Sequence, residues 1–202
     1  MKYLIFIAII ISSKFCHAQN EQLQIIVGRG VHGTGDMRGF GLSFGYSKYF
    51  KKRMNWTASI GSTIHDRLAS RINYEFPAGV WNDGSLKSTT AGLQGTFSIG
   101  YSFLKSYKNE ICFKIGGLVR YESSSYYDRV QLLYPGITGL PYPVILIKNT
   151  SPQKTLSLGI MPELSYNYSL SKKINIGLVG AYQFDTNGDN IYQLSLSIGR
   201  RF

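Results

Sequence analysis

Apolar and polar residues alternate along much of this 202-residue chain, in segments that are separated by turn residues. A period of two places successive side chains on opposite faces of a β-strand. Eight such segments run over residues 22–30, 39–50, 56–65, 90–103, 111–121, 156–168, 174–184 and 191–202. Most are at least as long as the roughly 9 to 11 tilted residues that cross a bilayer, whereas soluble strands have a mode of about 5 to 6.

The two faces of these segments differ in side-chain size. One face is bulky and apolar, as in Phe40, Leu42 and Phe44, and the other is small or polar, as in Gly41 and Ser43. Eight strands closed into a barrel enclose a bore that is too narrow for the bulky set. The bulky residues therefore form an outer band that only lipid can stabilise. We predict an all-β fold, an eight-stranded antiparallel up-and-down transmembrane β-barrel, whose closure leaves no strand edge unpaired.

The connections differ between the two ends of the predicted barrel. Short turns with the sequences KKRMN, LKSYKNE and SLSKKIN follow the second, fourth and sixth segments. The connections at the other end include residues 66–89 and 122–154, and the last contains the tight-turn pair Asn187-Gly188. Short turns opposite longer loops, with both termini on the short-turn side, are typical of outer-membrane barrels. A ten-strand barrel would require residues 130–134 and 144–147 to cross the membrane, and both are too short.

The start of the chain predicts export. The first 18 residues combine a positively charged start, a short apolar run and a small final residue, as in a secretory signal peptide. We expect cleavage after residue 18 and a single barrel domain over residues 19–202. Removal of Cys16 would leave Cys112 as the only cysteine, so we expect no intramolecular disulfide.

The full chain has a formal net charge of +11, and Lys2 and Lys14 would leave with the signal peptide. The remaining charge of about +9 is concentrated at one end of the predicted barrel. Nucleic acid is not expected as a partner, because the basic residues are not interleaved with stacking aromatic residues and an exported chain rarely meets it. The basic groups lie at or beside the short turns instead. They are Lys51, Lys52, Arg53, Lys105, Lys108, Lys172, Lys173, Arg200 and Arg201. We interpret them as a periplasmic rim that contacts anionic lipid headgroups, at about 1 kcal/mol per group, with an acidic periplasmic protein as the alternative partner.

In segment number, in turn and loop alternation and in its final residue, Phe202, the chain resembles the small bacterial outer-membrane β-barrels of the OmpA-barrel and OmpX type. The resemblance covers residues 19–202. It implies a location in the bacterial outer membrane, and it implies that the ending SLSIGRRF belongs to the signal read by the barrel assembly machinery. It does not specify an activity, because these barrels include adhesins, structural anchors and a few lipid-modifying enzymes.

Several charged or polar residues fall on inward positions. They are Lys114, Arg120, Glu163, Gln94 and Arg201, the last of which also belongs to the rim. Glu163 on the sixth segment, with Lys114 or Arg120 on the fifth, is a candidate for an interior ion pair, because an unpaired buried charge costs several kcal/mol. We interpret the interior as a plug of ion pairs and hydrogen bonds. A gated pore, in which partners exchange, is the alternative, and no wide channel is expected in either case.

Two histidines are the candidates for chemistry. His65 ends the third segment beside Asp66, with Ser62 nearby on the opposite face, so a Ser-His-acid site like that of lipid A deacylases of this barrel size can be imagined. We interpret His65 as a surface or rim histidine, and His32, in a glycine-rich stretch, as a loop residue. No metal-ligand spacing is evident, and we expect no cofactor.

The longest connection is unusually apolar for a loop. It predicts a hairpin extension with its turn at Pro135-Gly136, which either covers the barrel mouth or binds a partner. The expected contact residues are Tyr126, Tyr127, Tyr134 and Tyr142.

Together these features predict a non-enzymatic outer-membrane barrel with a structural, adhesive or complex-forming role through its outer loops. Its partners would be outer-membrane lipids and an outer-membrane or extracellular protein. The alternatives are a lipid-modifying enzyme, a small-barrel component of a secretion or transport complex, and a soluble lipocalin-like barrel.

Overall fold

The computed structural model describes residues 21–33, 37–150 and 153–202, so the predicted signal peptide lies outside the described residues. In chain order the strands are β1 (Glu21–His32), β2 (Met37–Tyr49), β3 (Met54–Ser70), β4 (Asn73–Glu75), β5 (Trp81–Asp83), β6 (Leu86–Lys105), β7 (Asn109–Ser124), β8 (Arg129–Leu133), β9 (Val144–Lys148), β10 (Lys154–Ser169), β11 (Ile174–Asp185) and β12 (Asn190–Arg201). One short helix, α1 (Pro135–Thr138), lies between β8 and β9. In the described residues, no helix has the length and apolar content that a bilayer-spanning helix requires.

Eight of these strands, β1, β2, β3, β6, β7, β10, β11 and β12, form a closed barrel. Each pairs antiparallel with the next barrel strand, and β1 also pairs with β12. Ile25 on β1, for example, lies opposite Ile198 on β12 and opposite Phe44 on β2. The prediction of an eight-stranded antiparallel up-and-down barrel is confirmed. Closure pairs β1 with β12, so no strand edge is left with unpaired backbone N–H and C=O groups, which a bilayer has no water to satisfy.

Large apolar side chains cover the outside of the barrel. Ile60, Leu93 and Leu196 are 57%, 55% and 68% exposed, although all three lie in the middle of long strands. Aromatic rings pack against one another on this outer surface, with the Tyr182 and Tyr192 rings 4.6 Å apart. An apolar band of this kind is stable against lipid and not against water. The molecule is therefore a membrane-spanning barrel of the outer-membrane type, and the soluble lipocalin-like alternative, which needs the bulky face inside, is wrong.

Small and polar side chains fill the bore. Thr57, Ser98 and Asn175 are all buried there, and the largest fully buried side chain is that of Arg120. The interior is therefore polar, as in outer-membrane barrels, and its charged groups need partners within the bore.

The connections at the outer end differ from the prediction in length and content. Only four residues separate β1 from β2 and β11 from β12, so these loops are as short as the periplasmic turns. In the connection between β3 and β6, β4 and β5 form a small hairpin that was not predicted from the sequence. The predicted hairpin between β7 and β10 is present as β8 and β9. It is a separate two-stranded sheet with α1 at its tip, and not an extension of the barrel strands.

Candidate functional site

A buried ion pair lies in the middle of the bore. Lys114 on β7 and Glu163 on β10 are directly opposite in the strand register, and Lys114 Nζ lies 2.7 Å from Glu163 Oε1. Their side chains are 7% and 10% exposed. Arg120, the alternative partner considered for Glu163, lies six residues further along β7 and pairs with Glu122 instead. The strand register therefore determines which basic residue pairs with Glu163, because residues directly opposite each other on paired strands are the closest cross-strand neighbours.

A second polar group closes the short-turn end of the bore. Glu110 accepts hydrogen bonds from the Tyr49 hydroxyl at 2.5 Å and the Ser102 hydroxyl at 2.6 Å, and Arg201 Nη2 lies 3.2 Å from its other oxygen. Arg201 also donates to the Ser169 hydroxyl. Arg201 was predicted both on an inward position and at the basic rim. Its side chain faces the bore at the short-turn end, because an alternating strand turns Arg200 out and Arg201 in.

The other basic residues at this end remain near the surface. Lys51, Lys52, Arg53, Lys105, Lys108, Lys172, Lys173 and Arg200 are exposed. Lys105 extends over a bore residue, with its Nζ 3.3 Å from the centre of the Tyr49 ring. The final residue, Phe202, donates its backbone N–H to the carbonyl of Glu21 on β1, and its ring lies beneath the Arg200 guanidinium. The ending that resembles an assembly signal therefore lies at the seam where β12 meets β1.

A third polar cluster lies at the outer end of the bore, which we call the outer cluster: His32, His65, Arg120, Glu122 and Asp189. Arg120 Nη2 lies 2.7 Å from Glu122 Oε2, and His32 Nε2 lies 3.9 Å from the same oxygen and 3.4 Å from Asp189 Oδ1. The two histidine rings are 5.4 Å apart. The cluster thus brings imidazole, carboxylate and guanidinium groups into a single buried site.

The outer cluster corrects the interpretation of both histidines. His32 is the last residue of β1, not a loop residue, and only 5% of it is exposed. His65 is 1% exposed and faces the bore, so it is not a surface histidine. Sequence reasoning missed the cluster because its members come from β1, β3, β7 and the turn before β12, and no spacing along the chain relates them. The parity of each strand was the available signal, since His65, Arg120 and Glu122 all fall on inward positions.

The residues of the imagined hydrolytic site are separated. Ser62 and Asp66 are exposed on the outside of β3, whereas His65 between them points into the bore. A serine nucleophile must lie within hydrogen-bond reach of its base. These three residues therefore do not form a Ser-His-acid site in this structure.

The four tyrosines selected as contact residues occupy different environments. Tyr126, Tyr134 and Tyr142 are 47%, 43% and 57% exposed. Tyr127 is only 9% exposed, so it is corrected from a contact residue to a packing residue where the chain leaves β7. Tyr126 lies beneath the guanidinium of Arg67, whose carbon is 4.8 Å from the ring centre. Only Tyr134 and Tyr142 belong to the tip of the hairpin that carries α1.

Comparison with known proteins identifies the fold and no closer relationship. No protein-family model matches the chain. No curated protein sequence matches it either. Among solved structures, it is similar to the attachment invasion locus protein Ail of Yersinia pestis, crystallised with the heparin analogue sucrose octasulfate, with a TM-score of 0.55 and 11% identity over 92% of this chain and 100% of that one.

Two further outer-membrane proteins have a similar fold. Neisserial surface protein A has a TM-score of 0.55 and 10% identity over 90% of this chain and 97% of its own. OprG from Pseudomonas aeruginosa has a TM-score of 0.51 and 10% identity over 92% and 97%. The fold is therefore that of small bacterial outer-membrane barrels, as the sequence resemblance implied.

Proposed function

We propose that the protein is a non-enzymatic outer-membrane barrel that binds another outer-membrane or extracellular protein through the hairpin of β8 and β9. The observation that carries this proposal is a group of large apolar side chains that lie outside the barrel and are exposed. They are Tyr134, Ile137, Leu140, Tyr142, Leu146 and Ile147, which we call the hairpin surface. Leu146 and Ile147 are consecutive on β9 and point to opposite faces, so both faces of the hairpin expose apolar side chains. Exposed apolar surface commonly marks a protein contact. A two-stranded hairpin is also marginally stable alone, so a partner that covers it would stabilise it.

The interior of the barrel supports binding rather than transport. Ion pairs centred on Glu110, Glu163 and Glu122 occupy the bore at its short-turn end, middle and outer end. Each pair would have to break, and leave a buried charge unpaired, before a solute could pass. The outer loops are therefore the part of the molecule best suited to a specific role.

A photo-activated cross-linking residue introduced at Tyr142 in living cells is expected to capture an envelope protein. The same residue at Tyr107, which is 74% exposed in the short turn after β6, serves as the control and is expected not to capture that protein. Ile137→Asp is expected to abolish the Tyr142 cross-link, because a charge in the centre of an apolar contact must be desolvated. A cross-link of equal yield at both positions, or one that survives Ile137→Asp, would contradict the proposal.

A second surface, the basic rim, is proposed to contact anionic phospholipid headgroups at the periplasmic side. Glu21 and Glu110, the acidic residues at this end, already pair with basic residues of the barrel. Glu21 is paired with Lys48 at 2.8 Å, and Glu110 is buried against Arg201. The exposed lysines and arginines of the turns therefore face the membrane edge and solvent with an excess of positive charge, which favours an anionic leaflet.

The variant K51Q/K52Q/K172Q/K173Q is expected to lose most of its preference for anionic over zwitterionic lipid. Each lysine near a charged surface contributes at most about 1 kcal/mol, and salt screens the effect. The barrel is held in nanodiscs, and the preference is measured from the exchange of anionic and zwitterionic lipids into them. The control is Lys87→Gln/Lys148→Gln, which changes two lysines at the outer end. An unchanged preference would exclude the lipid contact, and loss of a periplasmic protein complex instead would favour the acidic protein partner.

A further inference from the structure

Three groups that commonly bind metal ions meet in the outer cluster. His32 on β1, Glu122 on β7 and Asp189 in the turn before β12 each direct a ligand atom into one small volume, with all three atoms within 4.8 Å of one another. We propose that His32, Glu122 and Asp189 form a binding site for a divalent transition-metal ion of the zinc class at the outer end of the bore. One imidazole nitrogen and two carboxylate oxygens are ligands that Zn²⁺ accepts.

The spacing of these atoms suits such an ion. Around a tetrahedral ion with bonds of about 2.0 to 2.1 Å, two ligand atoms lie about 3.4 Å apart. His32 Nε2 is 3.4 Å from Asp189 Oδ1 and 3.9 Å from Glu122 Oε2. The first distance matches already, and the second needs a side-chain adjustment of a few tenths of an ångström. The two carboxylate oxygens lie within 4.8 Å of each other. The His32–Asp189 pair is therefore already spaced for an ion, and Glu122 would move to complete the site.

The charges around the site favour a doubly charged cation. Asp189 and Asp185 both lie close enough to Glu122 for their charges to act on it, and Arg120 is the basic group paired with Glu122. Three carboxylates thus face one guanidinium, which leaves two negative charges in excess. Glu122 Oε2 is the oxygen that both Arg120 and His32 approach, and a carboxylate oxygen has two lone pairs, so it can retain the Arg120 contact on one and offer the other to an ion. An ion of charge +2 would balance the group.

The surroundings hold the proposed ligands in place and bury two of them. Asp185 Oδ1 accepts hydrogen bonds from the backbone N–H groups of Asn187 and Asp189, which fixes the turn that carries Asp189. The side chains of His32 and Glu122 are 7% and 9% exposed, whereas that of Asp189 is 24% exposed. Asp189 is therefore the most accessible of the three proposed ligands.

His65 provides an independent indication of a missing partner. It is 1% exposed, its ring is 5.4 Å from that of His32, and within the described part of the chain its Nδ1 atom has no hydrogen-bond partner. A buried polar atom without a partner is costly and calls for an explanation. An ion beside His32 that carries a water in its remaining coordination position would bring a hydrogen-bonding group next to this ring.

The proposal is tested with untagged, refolded barrel in detergent, titrated with Zn²⁺ in a calorimeter. Wild type is expected to bind one Zn²⁺ per chain. Asp189→Asn is expected to weaken binding by about tenfold or more, because removal of a ligand costs at least as much as removal of its supporting hydrogen bond. The control is Asp83→Asn, which removes a carboxylate of the β4–β5 hairpin outside the cluster and is expected to bind as wild type does.

A second measurement, the unfolding temperature with and without Zn²⁺, tests the proposal in variants that are less stable than wild type. Zn²⁺ is expected to raise the unfolding temperature of wild type and of Asp83→Asn, but not that of Asp189→Asn or His32→Gln, because a ligand stabilises only the state that binds it. Asp189 lies in a turn, so its replacement is expected to leave the barrel ladder intact. No saturable binding to wild type, or equal binding and equal stabilisation in all four proteins, would overturn the proposal.

Discussion

Replacement of Gly116 with leucine is expected to prevent the barrel from folding, or to lower its free energy of unfolding by more than about 3 kcal/mol. Gly116 lies on β7 and faces the bore. A Cβ atom at this position would lie 2.5 Å from the carbonyl oxygen of Phe97 and 2.8 Å from the Cα of Ser98, both on β6. These are backbone atoms of a strand that is hydrogen-bonded on both sides, so they cannot move away without disruption of the ladder.

The next residue along the chain provides the control. Gly117 faces lipid, and a Cβ atom there would have only the Gly159 carbonyl oxygen nearby, at 3.9 Å. Gly117→Leu is expected to leave stability unchanged or to raise it, since the added side chain enters the apolar band. Both variants are compared by guanidinium unfolding in phospholipid vesicles and by the shift in gel mobility that a folded barrel shows without heating. Equal losses, or the opposite order, would overturn the assignment of the two faces.

Glu163→Gln is expected to lower the free energy of unfolding by about 3 to 5 kcal/mol, because it leaves the buried ammonium of Lys114 without an anionic partner. The two groups are 2.7 Å apart and almost fully buried. Lys114→Met combined with Glu163→Leu removes both charges and is expected to recover most of the loss. The measurement is equilibrium unfolding in detergent of wild type, Glu163→Gln and the double variant.

An exposed pair in the same barrel gives a matched comparison. Lys48 Nζ lies 2.8 Å from Glu21 Oε1, but the Lys48 side chain is 47% exposed. Glu21→Gln is therefore expected to cost no more than about 1 kcal/mol. If Glu21→Gln and Glu163→Gln cost the same, burial of the Lys114–Glu163 pair would not contribute to its strength, and the interpretation of the bore as a plug of essential ion pairs would be wrong.

The strands and their faces could be predicted because alternation is a local property. Phe40, Leu42 and Phe44 point outward in the structure as their parity predicted, and so do Leu194 and Leu196 on the last strand. The turn around Gly188 could also be predicted, because an Asn-Gly pair marks a tight turn. In the structure Gly188 has a φ of 82°, which glycine adopts without strain. The β4–β5 hairpin could not be predicted, because its three-residue strands are too short to show an alternation of apolar and polar residues.

The contents of the bore could be predicted only in part. Inward parity identified Lys114, Arg120 and Glu163 as interior charges, but it left open which basic residue lies at the height of Glu163. His32 was interpreted as a loop residue because glycines surround it, whereas pairing with β2 and β12 continues β1 through it. Arg201 was predicted both as an inward residue and as a rim residue beside a short turn, and only its contact with Glu110 shows which role its side chain has. Each error arose where the position of a residue depends on a partner strand.

The sequence by itself determined the number of crossing strands, the face that meets lipid and the end that carries the short basic turns. These follow from a period of two and from turn residues, both of which are properties of neighbouring residues in the chain. The tertiary structure alone decided which inward side chains share a height in the bore: Lys114 with Glu163, Arg201 with Glu110, and His32 with Glu122 and Asp189. The physical reason is closure, because the stagger between paired strands is set by the whole barrel and not by any one segment.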